Sequence, residues 1–378
     1  MRQKTSDLRQ LLASTILHVR SGRATSRTGL ARSLEISAST VGIYVDQLIA
    51  TGHLDESGLE HGSMGRPKRR IQVSGSLGWF AGVEFTASRV QLIGLDFSGK
   101  MIEMEEIRLP EDPSIAEVKE IICAGLTRWQ SKQALPLLGI GVGAPGLVNS
   151  QEGISLRYAF VRGWENVPVR DLLVQKFGVP VMVENNLRAI ALAERWFGSH
   201  REESNYVVVG ARSGFGIACV QGGVLIHGAN HAAGEVGLWP WPLAGECTRG
   251  ELHHWLNAPM AYRRLAGISE TAPVPEDLYT AMSSLVNDRG TLWDEVVMDY
   301  ARVLGCVQLL MDPSVCLLHG PLTALGDRFC QAIMDASLKI APALGDLRLQ
   351  LVRSQLGDNA GALGAASLAM ETWMPTFI

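Results

Sequence analysis

Two stretches near the start of the chain hold residues whose types and spacing suit contact with nucleic acid. Ser39, Thr40, Ile43 and Gln47 recur at helical spacing, on the face opposite Val41, Val45 and Leu48, and Ser37 stands at the cap position before them. Polar side chains at the N-terminal end of a recognition helix are placed to reach base edges in a major groove. The second stretch is Gly65-Arg66-Pro67-Lys68-Arg69-Arg70. A Gly-Arg-Pro core is thin and extended, so it fits a narrow minor groove whose negative potential attracts Arg66, with Lys68, Arg69 and Arg70 adding cationic charge. A solvated linker has a similar composition, so the short cluster alone does not decide the matter.

These residues need a scaffold, and the surrounding pattern supplies one. Ser6 is a candidate cap for a first helix with apolar positions at Leu8, Leu11, Leu12, Ile16 and Val19. A short second helix over 27–34 buries Leu30 and Leu34. A tight turn at Glu35-Ile36 then leads to Ser37 and the third helix, closed by Gly52. Residues 54–73 can form the two strands of a wing. A three-helix bundle without a nucleic-acid role shares the periodicity; the tight turn and the following basic segment favour a winged helix-turn-helix over 1–75 that binds a double-stranded DNA operator. Charge supports this division. Residues 1–75 carry 11 Lys and Arg against 6 Asp and Glu, whereas the remainder holds 23 against 32.

The 378 residues suffice for two or three domains, and 47% hydrophobic with 19% charged residues suits a globular chain. No run of eighteen apolar residues offers a membrane span. Asp7, Arg9, Gln10 and His18 interrupt the apolar N-terminal stretch, against a secretory signal, so a cytoplasmic location is expected. Six cysteines stand singly at 123, 219, 247, 306, 316 and 330, as reduced thiols used in packing would.

From Trp79 onward the pattern is α/β. Residues 80–85, 89–96 and 101–108 read as strands, 115–133 as an amphipathic helix, and 137–142 as a buried strand ending at Gly143-Ala144-Pro145-Gly146. A strand over 179–183 runs into Glu184-Asn185-Asn186 and a helix to 197. The order then repeats, with strands at 206–211, 216–221, 224–226, 315–319 and 348–352 and a helix ending at 340. Two βββ-αβα units in tandem predict two similar lobes around a ligand cleft.

The segments GVGAPGLVN (141–149), RGWENVPVRDLL (162–173), VPVMVENNLRAIALAERWFG (179–198), GVLIHGANHAAGEVG (223–237) and GDNAGALGAASLA (357–369) resemble the ROK family of repressors, open reading frames and kinases. The resemblance implies a two-lobed hexokinase/actin-like (ribonuclease H-like) fold. Lobe 1 would span 76–187, with a C-terminal helix over 358–378 returning to it, and lobe 2 would span 188–357. It also implies a carbohydrate-related transcription factor, commonly a repressor, acting as a homodimer or tetramer.

Matched residue by residue, the kinase chemistry of that family is not retained. Its first phosphate turn, Asp-x-Gly-Gly-Thr-Lys, is here Glu84-Phe85-Thr86-Ala87-Ser88-Arg89, where Phe85 and added Cβ atoms are expected to crowd a phosphate. The second turn is Arg212-Ser213-Gly214-Phe215-Gly216 and the third is His319-Gly320-Pro321. Asn186 stands at the position of the base and cannot accept a proton at neutral pH. Asn185 and Glu235 match sugar-contacting positions and, with Asn186 and the turn at Gly146, form the expected carbohydrate-effector site; Leu238 and Leu256 replace two further polar contacts. The family's zinc ligands would fall on Leu238, Cys247, Arg249 and His254, with His253 adjacent, so no metal is expected. No cofactor is expected either. The reading is a DNA-binding repressor with a non-catalytic sugar-kinase-like sensor; a sugar kinase with a fused head, or a repressor controlled by a protein partner, are the alternatives.

Overall fold

The computed structural model describes residues 2–60, 68–241, 250–286, 290–340 and 349–375. The chain opens with helices α1 (Arg2–Arg20), α2 (Arg27–Ser33) and α3 (Ala38–Ala50), followed by strands β1 (Leu54–Glu60) and β2 (Lys68–Val73). Ser26 and Ser37 cap α2 and α3, accepting the backbone N–H groups of Gly29 at 3.2 Å and Thr40 at 3.1 Å. Each satisfies a donor that a helix start otherwise leaves open. Between these helices Glu35 takes a left-handed backbone, φ 55°, which makes the turn tight. Leu12, Ile16, Leu30, Val41, Val45, Leu48 and Leu54 are buried together with Ile71 of the antiparallel hairpin. Two expectations need correction. Helix α1 begins at Arg2, so Ser6 lies inside it and not at its start, because no residue between Arg2 and Ser6 breaks helical backbone. Leu34 is half-buried at the end of α2.

The chain divides into two compact units: residues 1–186 with 362–378, and residues 187–361. The three-helix head and the first lobe therefore share a unit. After the hairpin come β3 (Trp79–Phe85), β4 (Arg89–Asp96), β5 (Met101–Arg108), α4 (Ile115–Lys132) and β6 (Leu137–Ala144). Small strands β7 (Leu147–Asn149), β8 (Ile154–Arg157) and β9 (Glu165–Val167) form a separate antiparallel sheet, and α5 (Val169–Phe177) and β10 (Val181–Asn185) follow. The main sheet runs β5-β4-β3-β6-β10, antiparallel through β3 and parallel from β3 to β10.

The second unit holds α6 (Asn186–Phe197), β11 (Tyr206–Ala211), β12 (Phe215–Gln221), β13 (Val224–Leu225), β14 (Pro240–Trp241) and β15 (Gly250–Glu251). Helices α7 (Leu252–Trp255), α8 (Ala258–Leu265), α9 (Leu278–Ser284) and α10 (Thr291–Met311) precede β16 (Val315–His319), α11 (Asp327–Ile340) and β17 (Leu351–Arg353). Its sheet, β13-β12-β11-β16-β17, repeats the strand order and directions of the first. The tandem pattern in the sequence is thus a duplicated topology.

Helix α12 (Ala360–Thr372) packs on the first sheet. Gly82 and Gly141 are partners across β3 and β6. A Cβ on Gly82 would lie 2.0 Å from the carbonyl oxygen of Ala362, and one on Gly141 would lie 1.7 Å from that of Ala365. Only two bare strands facing a helix of small residues allow this approach, which explains the Gly-Ala run of the sequence. Among the described residues no helix is long and apolar enough to cross a membrane. Cys219, Cys316 and Cys330 are buried free thiols, Cys123 and Cys306 are half-buried, and Cys247 lies outside the described residues. Burial pushes the Cys316 thiol up to about 12, as expected of a packing residue.

Candidate functional site

On α3, Ser37, Ser39 and Ile43 are exposed, while Thr40 and Gln47 are half-buried. Ile43 is 66% exposed, unusual for an isoleucine on a buried helix and available to a partner. The hydroxyl of Ser37 lies 2.8 Å from that of Ser39 and 2.7 Å from that of Thr40, so this end of the helix presents a connected hydroxyl cluster. Of the basic segment, Gly65, Arg66 and Pro67 lie outside the described residues. Lys68, Arg69 and Arg70 open β2, opposite Glu60, Leu59 and Ser57. Arg69 pairs with Glu56 at 2.8 Å, and Glu56 also receives Arg27 at 2.9 Å, which reaches Asp46 of α3 at 2.6 Å. These hydrogen bonds from Arg69 and Arg27 hold the Glu56 carboxyl below its usual range. The network joins the hairpin to α2 and α3, and sequence spacing gave no sign of it.

In the body of the first unit, β10 extends two residues further than expected and ends on Asn185, because its backbone continues the parallel ladder with β6 to Ala144. The Asn185 amide donates to the carbonyl of Gly146 at 2.8 Å. Its backbone N–H donates to the buried Glu184 carboxylate at 2.7 Å, which also accepts the Ser150 hydroxyl at 2.8 Å. Gly146 has φ 73°, and a Cβ there would stand 2.1 Å from the Arg157 carbonyl oxygen. The Gly146 turn and Asn185 are therefore brought together and held by neighbours, Glu184 and Ser150, that motif matching missed.

Asn186, the first residue of α6, donates its amide to Glu84 at 3.3 Å. Glu84 is 1% exposed and accepts that bond as part of the packed interior. The turn after it differs from the expected picture in one respect. Phe85 does not crowd the turn; strand alternation sends it into the core, 4.9 Å from Trp164 and 6.5 Å from Tyr158 between ring centres. What closes the turn is hydrogen bonding. The N–H of Thr86 donates to the Arg89 carbonyl at 2.9 Å, and that of Ala87 to the Tyr158 hydroxyl at 3.0 Å. Those of Ser88 and Arg89 both donate to the Thr86 hydroxyl at 3.3 Å. A phosphate cradle needs such N–H groups open to its ligand.

Glu235 lies in the second unit, just before a single 3-10 turn at Val236–Leu238. Burial raises its carboxyl above the usual range, with Arg188 opposing. Arg188 also pins the preceding loop, donating to the carbonyls of His231 at 2.6 Å and Ala233 at 3.2 Å. Leu238 is exposed and Leu256 buried, so the two replaced positions have separate environments. His253 accepts the Phe215 N–H at its Nδ1 at 3.1 Å, and burial lowers its pKa. That nitrogen is engaged in structure. Cys247 and Arg249 lie outside the described residues. The half-retained second turn keeps Gly214 where a Cβ would stand 2.9 Å from the His253 ring, a packing reason independent of nucleotide. His319 of the third segment is buried, which pushes it down to about 3 and leaves it neutral.

Comparison with known proteins extends these observations. The sequence model of the ROK family matches residues 80–372. A relative named "Putative xylose repressor", from Caldicellulosiruptor sp. (strain Rt8B.4), is 30% identical over 96% of this chain and 94% of its own. The crystal structure of a ROK family transcriptional regulator, a homologue of the E. coli MLC protein, superposes with a TM-score of 0.77 at 21% identity, over 95% of this chain and 96% of that one. A ROK family glucokinase from Streptomyces griseus, solved with glucose and AMPPNP, gives 0.62 at 21% identity over 77% and 99%. The body thus has the mixed α/β, actin-like fold of the sugar kinases.

Proposed function

The chain belongs to the ROK family, and on that premise we propose that it is a transcriptional repressor of sugar genes whose kinase-like body senses a ligand without phosphorylating it. The head is a winged helix-turn-helix: α3 enters the major groove of a double-stranded operator, and the basic run with Arg66, Lys68, Arg69 and Arg70 follows the adjacent backbone and minor groove. A homodimer or tetramer pairs the heads on half-sites spaced by about one helical turn, 10–10.5 bp. Asn185, held against Gly146, its sequence neighbour Asn186, and Glu235 are the residues assigned to the carbohydrate effector.

The observation that carries the non-catalytic reading is the closed turn from Thr86 to Arg89, whose four backbone N–H groups are spent inside the protein. Asn186 adds to it. With an amide in the base position and Glu84 as its acceptor, no proton acceptor faces a sugar hydroxyl from that residue. A sugar changes operator affinity only by binding the DNA-competent and DNA-incompetent states unequally.

The test is selection of duplex DNA from a random pool by the full chain, then titration of the winning duplex with xylose, glucose and related sugars. A sequence-specific duplex released by one sugar, with no ADP formed from ATP in its presence, is the expected result. ADP release coupled to sugar phosphorylation refutes the non-catalytic claim, and absence of any preferred duplex refutes the repressor claim. Asn186→Asp should remain without kinase activity and should destabilise the fold by about 1–3 kcal/mol at neutral pH, since a second carboxylate would face Glu84.

A further inference from the structure

Away from Asn185, Asn186 and Gly146, the first unit contains a half-open cavity of about 360 Å³. It lies between α4, α5, the end of β3 and the residues around β9. Phe85, Ile122, Trp164 and Leu173 give it an apolar wall. Two cations border it: Lys119 lies on the same α4 face as Ile122, three residues apart, and Lys176 on the same α5 face as Leu173. Neither lysine forms an ion pair among the described residues, and no Asp or Glu contributes to the lining. The volume falls in the roughly 300–1,000 Å³ range of small-molecule sites, which combine apolar walls with a few placed polar groups.

We propose that this cavity binds a small amphipathic monocarboxylate, its apolar body among Phe85, Ile122, Trp164 and Leu173 and its carboxylate between Lys119 and Lys176. Charge complementarity selects this occupant. A neutral apolar molecule would use neither cation at the opening, a polyanion would find no further cations, and a sugar would find almost no hydrogen-bonding partners on the wall. The long lysine stems add apolar contact while their ammonium groups stay at the opening. The proposal is independent of the sugar reading above, since the two sets of residues do not overlap.

The half-buried Cys123, four residues after Lys119, also lines the cavity and serves as a reporter. Decanoate and 4-phenylbutyrate are titrated calorimetrically into the full chain, with decanol as the uncharged control. Modification of Cys123 by a maleimide is followed by peptide mass mapping with and without acid. Saturable binding at one site per chain is expected, stronger for the acid than for decanol, with protection of Cys123. Binding should weaken roughly tenfold in the Lys119→Met/Lys176→Met double variant. Preference for decanoate assigns an alkyl body and preference for phenylbutyrate an aryl one; either supports the proposal. Absence of saturable binding of both acids to the unmodified protein overturns it, as does unchanged affinity in the double variant or undiminished labelling of Cys123 at saturating acid.

Discussion

The guanidinium of Arg20 sits 4.7 Å over the ring of Phe97 and donates twice to that residue's own carbonyl, at 3.1 and 2.7 Å. A third bond, 3.2 Å, reaches the carbonyl of Met370 in α12. The last residue of α1 is thereby fastened to the turn between β4 and β5 and to the C-terminal helix. Arg20→Met removes three charge-assisted donors at once and should lower stability by about 2–3 kcal/mol in urea denaturation. Arg20→Lys should recover only part of this, because an ammonium group lacks the planar fork. Unchanged midpoints in both variants would show that the fastening contributes nothing.

His53 completes this junction, with its ring centre 5.6 Å from that of Phe97 and 5.5 Å from that of Trp373. Burial pushes its pKa down to about 4, a Thr51 hydrogen bond opposes that, and the Arg20 charge lowers it further. Between the ordinary value of 6.5 and about 4, the unfolded chain takes up the proton and the folded one does not. Stability is therefore lost as pH falls through that window, by at most about 1.4 kcal/mol per unit. His53→Gln should flatten this part of the stability–pH curve relative to the unmodified protein; parallel curves would exclude His53 as the source.

The same substitution should have opposite signs at two glycines. A Cβ on Gly42, in the middle of α3, would meet nothing within 4 Å, so Gly42→Ala should raise stability by about 0.5–1 kcal/mol through helix propensity. On Gly141 it would meet the Ala365 backbone at 1.7 Å. Gly141→Ala must push α12 off the sheet and should cost about 3 kcal/mol or more. Thermal unfolding of the two variants side by side is the check.

Arg69 and Arg70 should differ in their contribution to operator binding. Arg69 is paired with Glu56 and must give up that bond to meet a phosphate, whereas exposed Arg70 makes no ion pair among the described residues. Arg70→Ala should weaken binding and reduce the slope of log affinity against log salt by about 1. Arg69→Ala should change both less. Equal effects would show that DNA binding dissolves the Arg69–Glu56 pair at little cost.

Much of the architecture could be read from local pattern. Strands such as Arg89–Asp96 and Tyr206–Ala211 form where the apolar runs indicate, and Ser37 sits as the cap of α3. The apolar periodicity of α3 likewise identified Val41, Val45 and Leu48 as buried. What escaped involves partners distant in sequence. Nothing near Ala87 announces that its N–H is taken by Tyr158, and nothing near Asn185 announces its support by Glu184 and Ser150. Phe85 packs in the core and does not crowd the turn because the side of a strand on which a residue falls depends on register, not on the motif it interrupts. The cavity between α4 and α5 is equally hidden in the sequence, since no long apolar periodicity announces the short elements α5 and β9.

The return of α12 to the first sheet has a consequence for how the molecule is made. Gly82 and Gly141 leave the ribosome early, yet the helix that covers them is encoded after the whole second unit. During synthesis the first sheet must wait with a bare glycine groove, and Met370 is not yet there for Arg20 to grip. Final fastening of the head is then a late event in biogenesis, and a frameshift near the 3′ end of the gene would damage the part of the protein encoded at its start.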